Sequence, residues 1–349
     1  MRSIFLCDDP AVIARVYAPQ TVATLRQTAG LDAAVYTAKQ LRESPSAFAD
    51  VDFVFSSWCM PCLTEAEIRA FLPSLKAVFY AAGSVQAFAR PFLRSGVRVF
   101  SAWAANAVPV AEYTLMYTYD RLFSAYDHTV AQILLANKGF YATAAHLSAG
   151  GDYKEALTLR EHFPGNYGAC IGIIGAGMIG KMVIERLAAY RLSVMVFDPF
   201  LPDETAKTLG VKKCDLPTLF KSAQVVTNHL ANNAETRGML TYPLFASMPP
   251  YATFLNTGRG AQVVEDDLVC ALRERPDLTA VLDVTDPEPP RADHPFFALQ
   301  NCFLTPHIAG SSGDEVHRMA AYMAEEYERF KSGEQTRYEV TADMLKTMA

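Results

Sequence analysis

Ile171-Gly172-Ile173-Ile174-Gly175-Ala176-Gly177-Met178-Ile179-Gly180 is the stretch on which the fold turns: an apolar run of buried-strand type breaks into Gly-x-Gly-x-x-Gly, and a helical pattern follows over residues 181–190. Glycines at these three positions permit a tight turn, a close approach of the backbone to a pyrophosphate, and close packing of helix on strand. The helix start adds unpaired N–H donors and the positive end of its dipole. A second apolar run, 193–197, ends in Asp198, eighteen residues beyond Gly180, where a carboxylate can grip both ribose hydroxyls. The same carboxylate repels a 2′-phosphate, and Pro199 and Phe200 bring no cation to offset it. The spacing predicts a dinucleotide site built from Gly175, Gly177, Met178, Ile179, Gly180 and Asp198, with NAD rather than NADP as its cofactor.

Toward the C-terminus the series continues with apolar runs at 225–229, 253–256, 280–284 and 303–305, and a helical pattern over 265–275. Six strands with crossover helices predict a doubly wound parallel sheet. Toward the N-terminus, runs at 3–7, 51–55 and 77–82 alternate with helical patterns around 11–27 and 64–71, the rhythm of a second parallel α/β sheet. Between the two series, Val108, Ala111, Leu115, Tyr119, Leu122, Tyr126, Val130 and Ile133 recur every three or four positions, which predicts one long amphipathic helix over 108–134. A second stripe, Val316, Met319, Met323, Tyr327 and Phe330, predicts a C-terminal helix packing back on the first domain. Residues 137–168, interrupted by Gly139, Gly150-Gly151 and Pro164-Gly165, read as an irregular excursion.

A chain of 349 residues exceeds what one hydrophobic core usually supports, so two domains are expected. The net charge of -6 and the lack of a long Lys/Arg run speak against nucleic acid and anionic membranes as partners. No apolar window reaches the roughly 18 to 20 residues that span a bilayer, and Asp8-Asp9 break the N-terminal apolar run too soon for a signal peptide. A cytoplasmic protein is expected. Seven cysteines at irregular spacing suggest reduced thiols. Cys59 and Cys62 form a C-x-x-C with no second pair to complete a zinc site, and the seven histidines show no metal-ligand spacing, so no metal is expected.

Three later strand ends carry side chains suited to chemistry. Asn256-Thr257-Gly258-Arg259-Gly260 puts an arginine between two glycines where α/β sheets bind ligands, and its planar fork suits a carboxylate. Leu282-Asp283-Val284-Thr285-Asp286-Pro287-Glu288-Pro289 and Leu304-Thr305-Pro306-His307-Ile308-Ala309-Gly310 turn into Pro-marked loops. Singly, Glu288 is an ordinary loop acid and His307 an ordinary packed histidine. Together, Arg259, Glu288 and His307 make an orienting cation, a carboxylate that sustains a protonated imidazole, and a proton donor. No G-x-S-x-G elbow supports a hydrolase.

These motifs, in this order and near this spacing, resemble the D-isomer-specific 2-hydroxyacid dehydrogenase family over most of the chain. Ala82-Gly83-Ser84 and Asn106-Ala107-Val108-Pro109-Val110-Ala111-Glu112 are similar to its substrate-carboxylate loop and the start of its interdomain helix. The resemblance implies two doubly wound parallel-sheet domains: a flavodoxin-like substrate-binding domain from residues 1–105 and 310–349, and a Rossmann-type NAD domain, 106–309, inserted in it, with the site in the cleft. It implies NAD-dependent interconversion of a small 2-keto acid and its D-2-hydroxy acid, and a homodimer. Arg259 would hold the substrate's carboxylate and carbonyl, His307 exchange the proton, and Glu288 pair with the imidazole. Asp283 would contact the nicotinamide amide, while His229, Thr257, Gly258 and Gly310 line the cofactor path. Related folds also serve as NAD(H)-sensing co-repressors or scaffolds, the other function class to weigh. The chain departs from the family pattern at Ala231-Asn232, at Thr285, in the length of 137–168, and in Tyr80-Ala81-Ala82-Gly83-Ser84-Val85.

Two first-domain segments end apolar runs and are expected to face the ligand: Ser56-Ser57-Trp58-Cys59-Met60-Pro61-Cys62 and Tyr80-Ala81-Ala82-Gly83-Ser84-Val85-Gln86. Neither contains Lys or Arg. Trp58 and Met60 offer an apolar wall, so an unphosphorylated acid with a small neutral or apolar side chain is expected.

Overall fold

The computed structural model describes residues 2–105, 128–311 and 313–346. The chain divides into two compact units, one formed by Met1–Ala107 and Ser311–Ala349, the other by Val108–Gly310. Each is built on a twisted sheet with helices on its faces. No described helix is long and apolar enough to cross a membrane.

In the first unit, β1 (Ser3–Leu6), β2 (Leu31–Tyr36), β3 (Phe53–Ser56), β4 (Ala77–Tyr80) and β5 (Arg98–Ser101) lie parallel in the order β2-β1-β3-β4-β5. This is the flavodoxin-like order, and it reverses between β1 and β3. β1, β3 and β4 are buried along their whole length, which is why they stand out as unbroken apolar runs. β2, half-buried, and β5, which starts at Arg98, are mixed in character and are missed by reading apolar runs. A short strand from the chain's end, β13 (Glu339–Val340), adds antiparallel to β5, where Glu339 accepts from Arg98 Nε at 2.7 Å. The expected helix over 11–27 is two helices, Pro10–Val16 and Pro19–Ala29. Pro19 lacks an N–H and its ring cannot continue a helix, yet its fixed φ suits a first helical position. The C-terminal helix runs Val316–Ser332 and seats Met319, Met323 and Tyr327 against Phe53, Phe55 and Phe79. Buried in the same helix, Glu326 accepts from the backbone N–H groups of Arg337 and Tyr338, which steers the chain into β13.

In the second unit, β6 (Cys170–Ile174), β7 (Ser193–Phe197), β8 (Lys212–Lys213), β9 (Val225–Asn228), β10 (Thr253–Asn256), β11 (Thr279–Leu282) and β12 (Cys302–Leu304) form a parallel sheet in the order β12-β11-β10-β9-β6-β7-β8. That is the Rossmann order with one further strand, and it reverses between β6 and β9. The two-lysine strand β8 has no apolar signature and escapes sequence reading. Register decides where side chains emerge: Ile174 pairs with Phe197 and Asn228, Asn228 with Asn256, Asn256 with Leu282, and Leu282 with Leu304. The next residue of each strand, Gly175, Asp198, His229, Thr257, Asp283 and Thr305, therefore leaves the sheet at one carboxyl edge.

Two expectations need correction here. The helix after the glycine loop is Met178–Leu187, starting inside the motif rather than after it. Residues 137–168 are not irregular: they contain helices Phe140–Ser148 and Tyr153–Arg160. Gly139 and Gly150 take left-handed φ of 73° and 82° at the junctions, and Asp152 caps the second helix by accepting from Lys154 and Glu155 N–H, so the glycines separate two helices instead of dissolving them. The long helix expected over 108–134 and the run Asn106–Glu112 lie largely outside the described residues; the described part is a helix, His128–Ala136, with Val130 and Ile133 buried.

Candidate active site at the carboxyl edge of the second sheet

The glycine loop leaves β6 at the switch point. Gly175 has φ 88°, and a Cβ there would meet the His229 carbonyl at 2.9 Å, while a Cβ on Gly180 would strike the Gly175 carbonyl. Both positions require glycine for steric reasons within the protein. Gly177 is different, since nothing lies within 4 Å of its Cβ position. Its bare backbone faces open space at the N-terminus of the helix Met178–Leu187, which fits the approach of a dinucleotide's phosphates. Met178 is exposed at the helix start, whereas Ile179 packs against the core. Asp198 folds back onto the loop: Oδ2 accepts from Ala176 N–H at 2.7 Å and Oδ1 from Phe200 N–H at 2.8 Å. Each oxygen keeps acceptor capacity for a ribose hydroxyl. The residues fit NAD, and the loop's shape depends on the carboxylate as well.

Beside the loop, at the ends of β9 and β10, is a buried polar network that sequence reading missed. Asn228 Nδ2 donates to Asn256 Oδ1 at 3.0 Å and to Gln262 Oε1 at 2.6 Å, and Gln262 Nε2 donates to the Leu230 and Ala231 carbonyls. All three side chains are buried and satisfied, so they fix the two loops relative to each other. The signal was available: an asparagine closes each of two strands, β9 and β10, that are buried along their whole length. Gly258 belongs to the network, because a Cβ there would lie 2.9 Å from Asn228 Nδ2. His229 lies within hydrogen-bonding distance of Thr227 Oγ1 at 3.0 Å and Thr257 Oγ1 at 3.5 Å. Burial drives its pKa down to about 3, so the ring is neutral.

Arg259 is half-buried, with Nη1 donating to the Gly258 carbonyl at 2.7 Å. Burial lowers its pKa and the charge of Glu288 acts against that, leaving a cation whose fork is otherwise unpaired among the described residues. Gly260 lets this segment press on the next loop, since a Cβ there would run into the Thr285 carbonyl. Asp283, at the end of β11, is buried. Its carboxylate accepts from Thr305 Oγ1 at 2.5 Å, Ile308 N–H at 2.9 Å and Ala309 N–H at 2.9 Å. These bonds brace the segment carrying His307, whose backbone φ of 52° is left-handed, a conformation that costs a non-glycine residue on the order of 1 kcal/mol. His307 Nδ1 lies 2.6 Å from Glu288 Oε1. A carboxylate accepts only, so Nδ1 carries the proton and Nε2 is left for an outside partner. Gly310 closes the unit.

Arg259, Asp283, Glu288 and His307 thus meet at the sheet edge next to the dinucleotide loop. Trp58, Ala82, Gly83 and Ser84 belong to the first unit, at the carboxyl ends of β3 and β4. There Ala82 is buried, Gly83 is half-buried and Ser84 exposed. Ser101 Oγ lies 2.6 Å from the Gly83 carbonyl and 2.9 Å from that of Ala82, and holds this turn. Trp58 is half-buried with the Arg15 guanidinium 5.2 Å from its ring centre, a cation that belongs to neither loop but to the helix after β1.

Residues 130–309 match the profile described as D-isomer specific 2-hydroxyacid dehydrogenase, NAD binding domain. Among curated proteins, D-3-phosphoglycerate dehydrogenase of Archaeoglobus fulgidus is 32% identical over 212 residues, 60% of this chain and 39% of that protein. (S)-Sulfolactate dehydrogenase of Chromohalobacter salexigens is 30% identical over 227 residues, 65% of this chain and 67% of that protein. The chain spans less than half the length of the phosphoglycerate dehydrogenases it matches. Among solved structures, apo D-mandelate dehydrogenase of Rhodotorula graminis superposes with a TM-score of 0.77 at 19% identity, covering 97% of each chain, a likeness of fold alone. The second unit is an NAD-binding domain, and the chain belongs to the D-isomer-specific 2-hydroxyacid dehydrogenase family.

Proposed function

We propose that the protein interconverts a small 2-keto acid and its D-2-hydroxy acid with NAD, through Arg259, His307 and Glu288. The observation that carries this reading is the 2.6 Å contact between Glu288 and His307 Nδ1, at the sheet edge that also presents Arg259. NAD would be held by Gly175, Gly177, Met178, Ile179, Gly180 and Asp198, with His229, Thr257, Gly258, Asp283 and Gly310 along its path, and bound NADH supplies the hydride. The half-buried Arg259 fork binds the substrate carboxylate and orients its carbonyl. His307 Nε2 gives a proton to the carbonyl oxygen during reduction and takes it back during oxidation, while Glu288 holds the ring in the required tautomer and offsets the imidazolium charge.

The first unit would supply the substrate's other contacts, through Trp58 and the Ala82-Gly83-Ser84 turn. Relatives are named for substrates as different as phosphoglycerate, sulfolactate and mandelate, so the side chain is not inherited from the family. A homodimer and a cytoplasmic setting are part of the same proposal. The test is a panel of 2-keto acids with NADH and NADPH, read as kcat/KM. Turnover of several 2-keto acids that His307→Ala abolishes supports the reading, and NADH binding without turnover of any member overturns it.

A further inference from the structure

Behind the loop that carries Glu288 lies a second acid–imidazole pair. Glu265, the first residue of the helix Glu265–Glu274, and His294 are 3.1 Å apart (Oε2 to Nε2), with side chains only 12% and 7% exposed. Their orientation follows from their other partners. Phe296 N–H donates to His294 Nδ1 at 3.3 Å, so Nδ1 is the acceptor and the proton sits on Nε2, facing the carboxylate. Glu265 spends its second oxygen, Oε1, on the backbone N–H of Asp286 at 2.9 Å. Asp286 is two residues ahead of Glu288. The loop has two further ties, Arg237 to the Asp286 carboxylate at 2.8 Å and Thr285 Oγ1 to the Pro287 carbonyl at 2.9 Å, but these are on its exposed side or internal to it. Among the described residues, only Glu265 links the loop's backbone to the buried body of the domain through a charge-assisted bond.

The geometry points to Glu265 and His294 as positioning residues for the acid/base pair: His294 orients the Glu265 carboxylate, Glu265 anchors Asp286, and the anchored loop holds Glu288 against His307 Nδ1. This rests on the reading of Glu288 and His307 given above. Neither residue touches the substrate. Their effect is on where Glu288 stands, and misplacement by about 1 Å is enough to cost on the order of 10²-fold in rate.

The test uses the full-length protein with Glu265→Leu and His294→Phe, which fill the space without the bonds, and with His294→Gln and Glu265→Gln, whose amides retain a donor and an acceptor respectively. The first readout needs no substrate: long-range ¹H–¹⁵N spectra of the neutral His307 ring report which nitrogen is protonated. In the wild type and in His294→Gln the proton is expected on Nδ1, whereas Glu265→Leu and His294→Phe should shift the ring toward the Nε2–H form, no longer held by Glu288. The second readout is kinetic: kcat for 2-keto acid reduction should fall about 10-fold in these two variants, with NADH Kd unchanged, His294→Gln closer to wild type, and Glu265→Gln, whose amide N–H meets one of the two donors the carboxylate accepted, in between. Wild-type His307 spectra in both Glu265→Leu and His294→Phe overturn the inference, and so does a His294→Gln variant as impaired as His294→Phe. Should Glu265→Leu fail to fold, Glu265→Gln and the His294 pair decide. If the wild type reduces no 2-keto acid, the functional reading falls while the ring spectra still judge the positioning.

Discussion

Asp283 holds His307 in place without touching its ring: the carboxylate accepts from Thr305, Ile308 and Ala309, and the Asp283 carbonyl accepts the His307 N–H at 3.0 Å. The left-handed backbone of His307 is sustained by these bonds. In Asp283→Asn the remaining oxygen can accept from at most two of these three donors, and the new amide N–H faces the third. We predict a kcat loss of at least about 10-fold in Asp283→Asn, together with lower stability by on the order of 1–3 kcal/mol. Denaturant unfolding and single-turnover kinetics check the pair of effects. A fully active and fully stable variant would show that the His307 segment holds its shape unaided.

The cofactor prediction gains a complication from the Asp198 geometry. Asp198→Ala should narrow the preference for NADH over NADPH, because the charge that repels a 2′-phosphate is gone. It also strips Ala176 N–H of its acceptor, so NADH should bind less tightly as well. Measuring both dissociation constants separates these effects: improved NADPH binding with weakened NADH binding is expected. Equal use of both cofactors by the wild type would remove Asp198 from the ribose site.

For the chemistry, His307→Ala is expected to cost a factor on the order of 10² or more in kcat, the usual scale for a lost general acid. Glu288→Gln should lower kcat with KM nearly unchanged, since the amide no longer offsets the imidazolium charge. Arg259→Lys should raise KM and lower kcat, because a point charge cannot supply the two-pronged fork. Near-normal kinetics of Arg259→Lys in steady-state assays would rule out bidentate binding.

His229 gives a pH prediction with a definite sign. Its folded pKa, about 3, lies below the unfolded value of about 6.5, so the unfolded chain takes up a proton that the native ring refuses. Stability is unaffected above the unfolded value and declines as pH falls through the window between the two. Thermal unfolding at about pH 7 and about pH 5 should show the wild type losing more than His229→Gln on acidification. An equal loss in both would mean the ring is protonated in the native state.

Where the sequence was legible, the reason was simple physics. Central strands such as β1, β3, β4 and β6 are buried on both faces and show as apolar runs, and the strand-end residues follow from them because the parallel register aligns the carboxyl ends. Glu288 and His307 are nineteen residues apart, and their pairing, a 2.6 Å contact in the structure, was implied by the family resemblance that the motif order carries and by nothing local. What was hidden lacked an apolar period or depended on distant partners. β2 and β8 are half-buried or charged, Glu265 and His294 look like an ordinary helix-start acid and a residue before proline, and Arg15 stands more than forty residues from Trp58. The helices Phe140–Ser148 and Tyr153–Arg160 were obscured by the glycines that cap and separate them.

The substrate's side chain is the last prediction, and Arg15 sharpens it. Neither the Trp58 segment nor the Ala82-Gly83-Ser84 turn contains a cation, but Arg15 lies over the Trp58 ring at the carboxyl ends of β1 and β3, where the first sheet's order reverses. Reversal points at carboxyl ends are where α/β sheets bind ligands. Arg15 is exposed and makes no salt bridge among the described residues, so a single solvated guanidinium is set against the roughly two negative charges of a phosphate. Against a screened and hydrated partner of that kind, an ion pair contributes about 1 kcal/mol or less, too little to favour a phosphorylated acid strongly. Trp58 packs against both core clusters of the first unit and stays half-buried, so the part of its ring left uncovered is apolar and suits a neutral side chain. We therefore predict that pyruvate-, hydroxypyruvate- or branched-chain-type keto acids exceed phosphohydroxypyruvate in kcat/KM, and that Arg15→Ala changes their values by no more than about 5-fold, as expected for losing about 1 kcal/mol of ring contact. Trp58→Ala should cost more, mainly in KM, through the lost apolar wall. The competition experiment has a clear opposite result: if the phosphorylated acid wins and Arg15→Ala erases its advantage, Arg15 is the anion-binding residue and the apolar reading of the Trp58 segment is wrong.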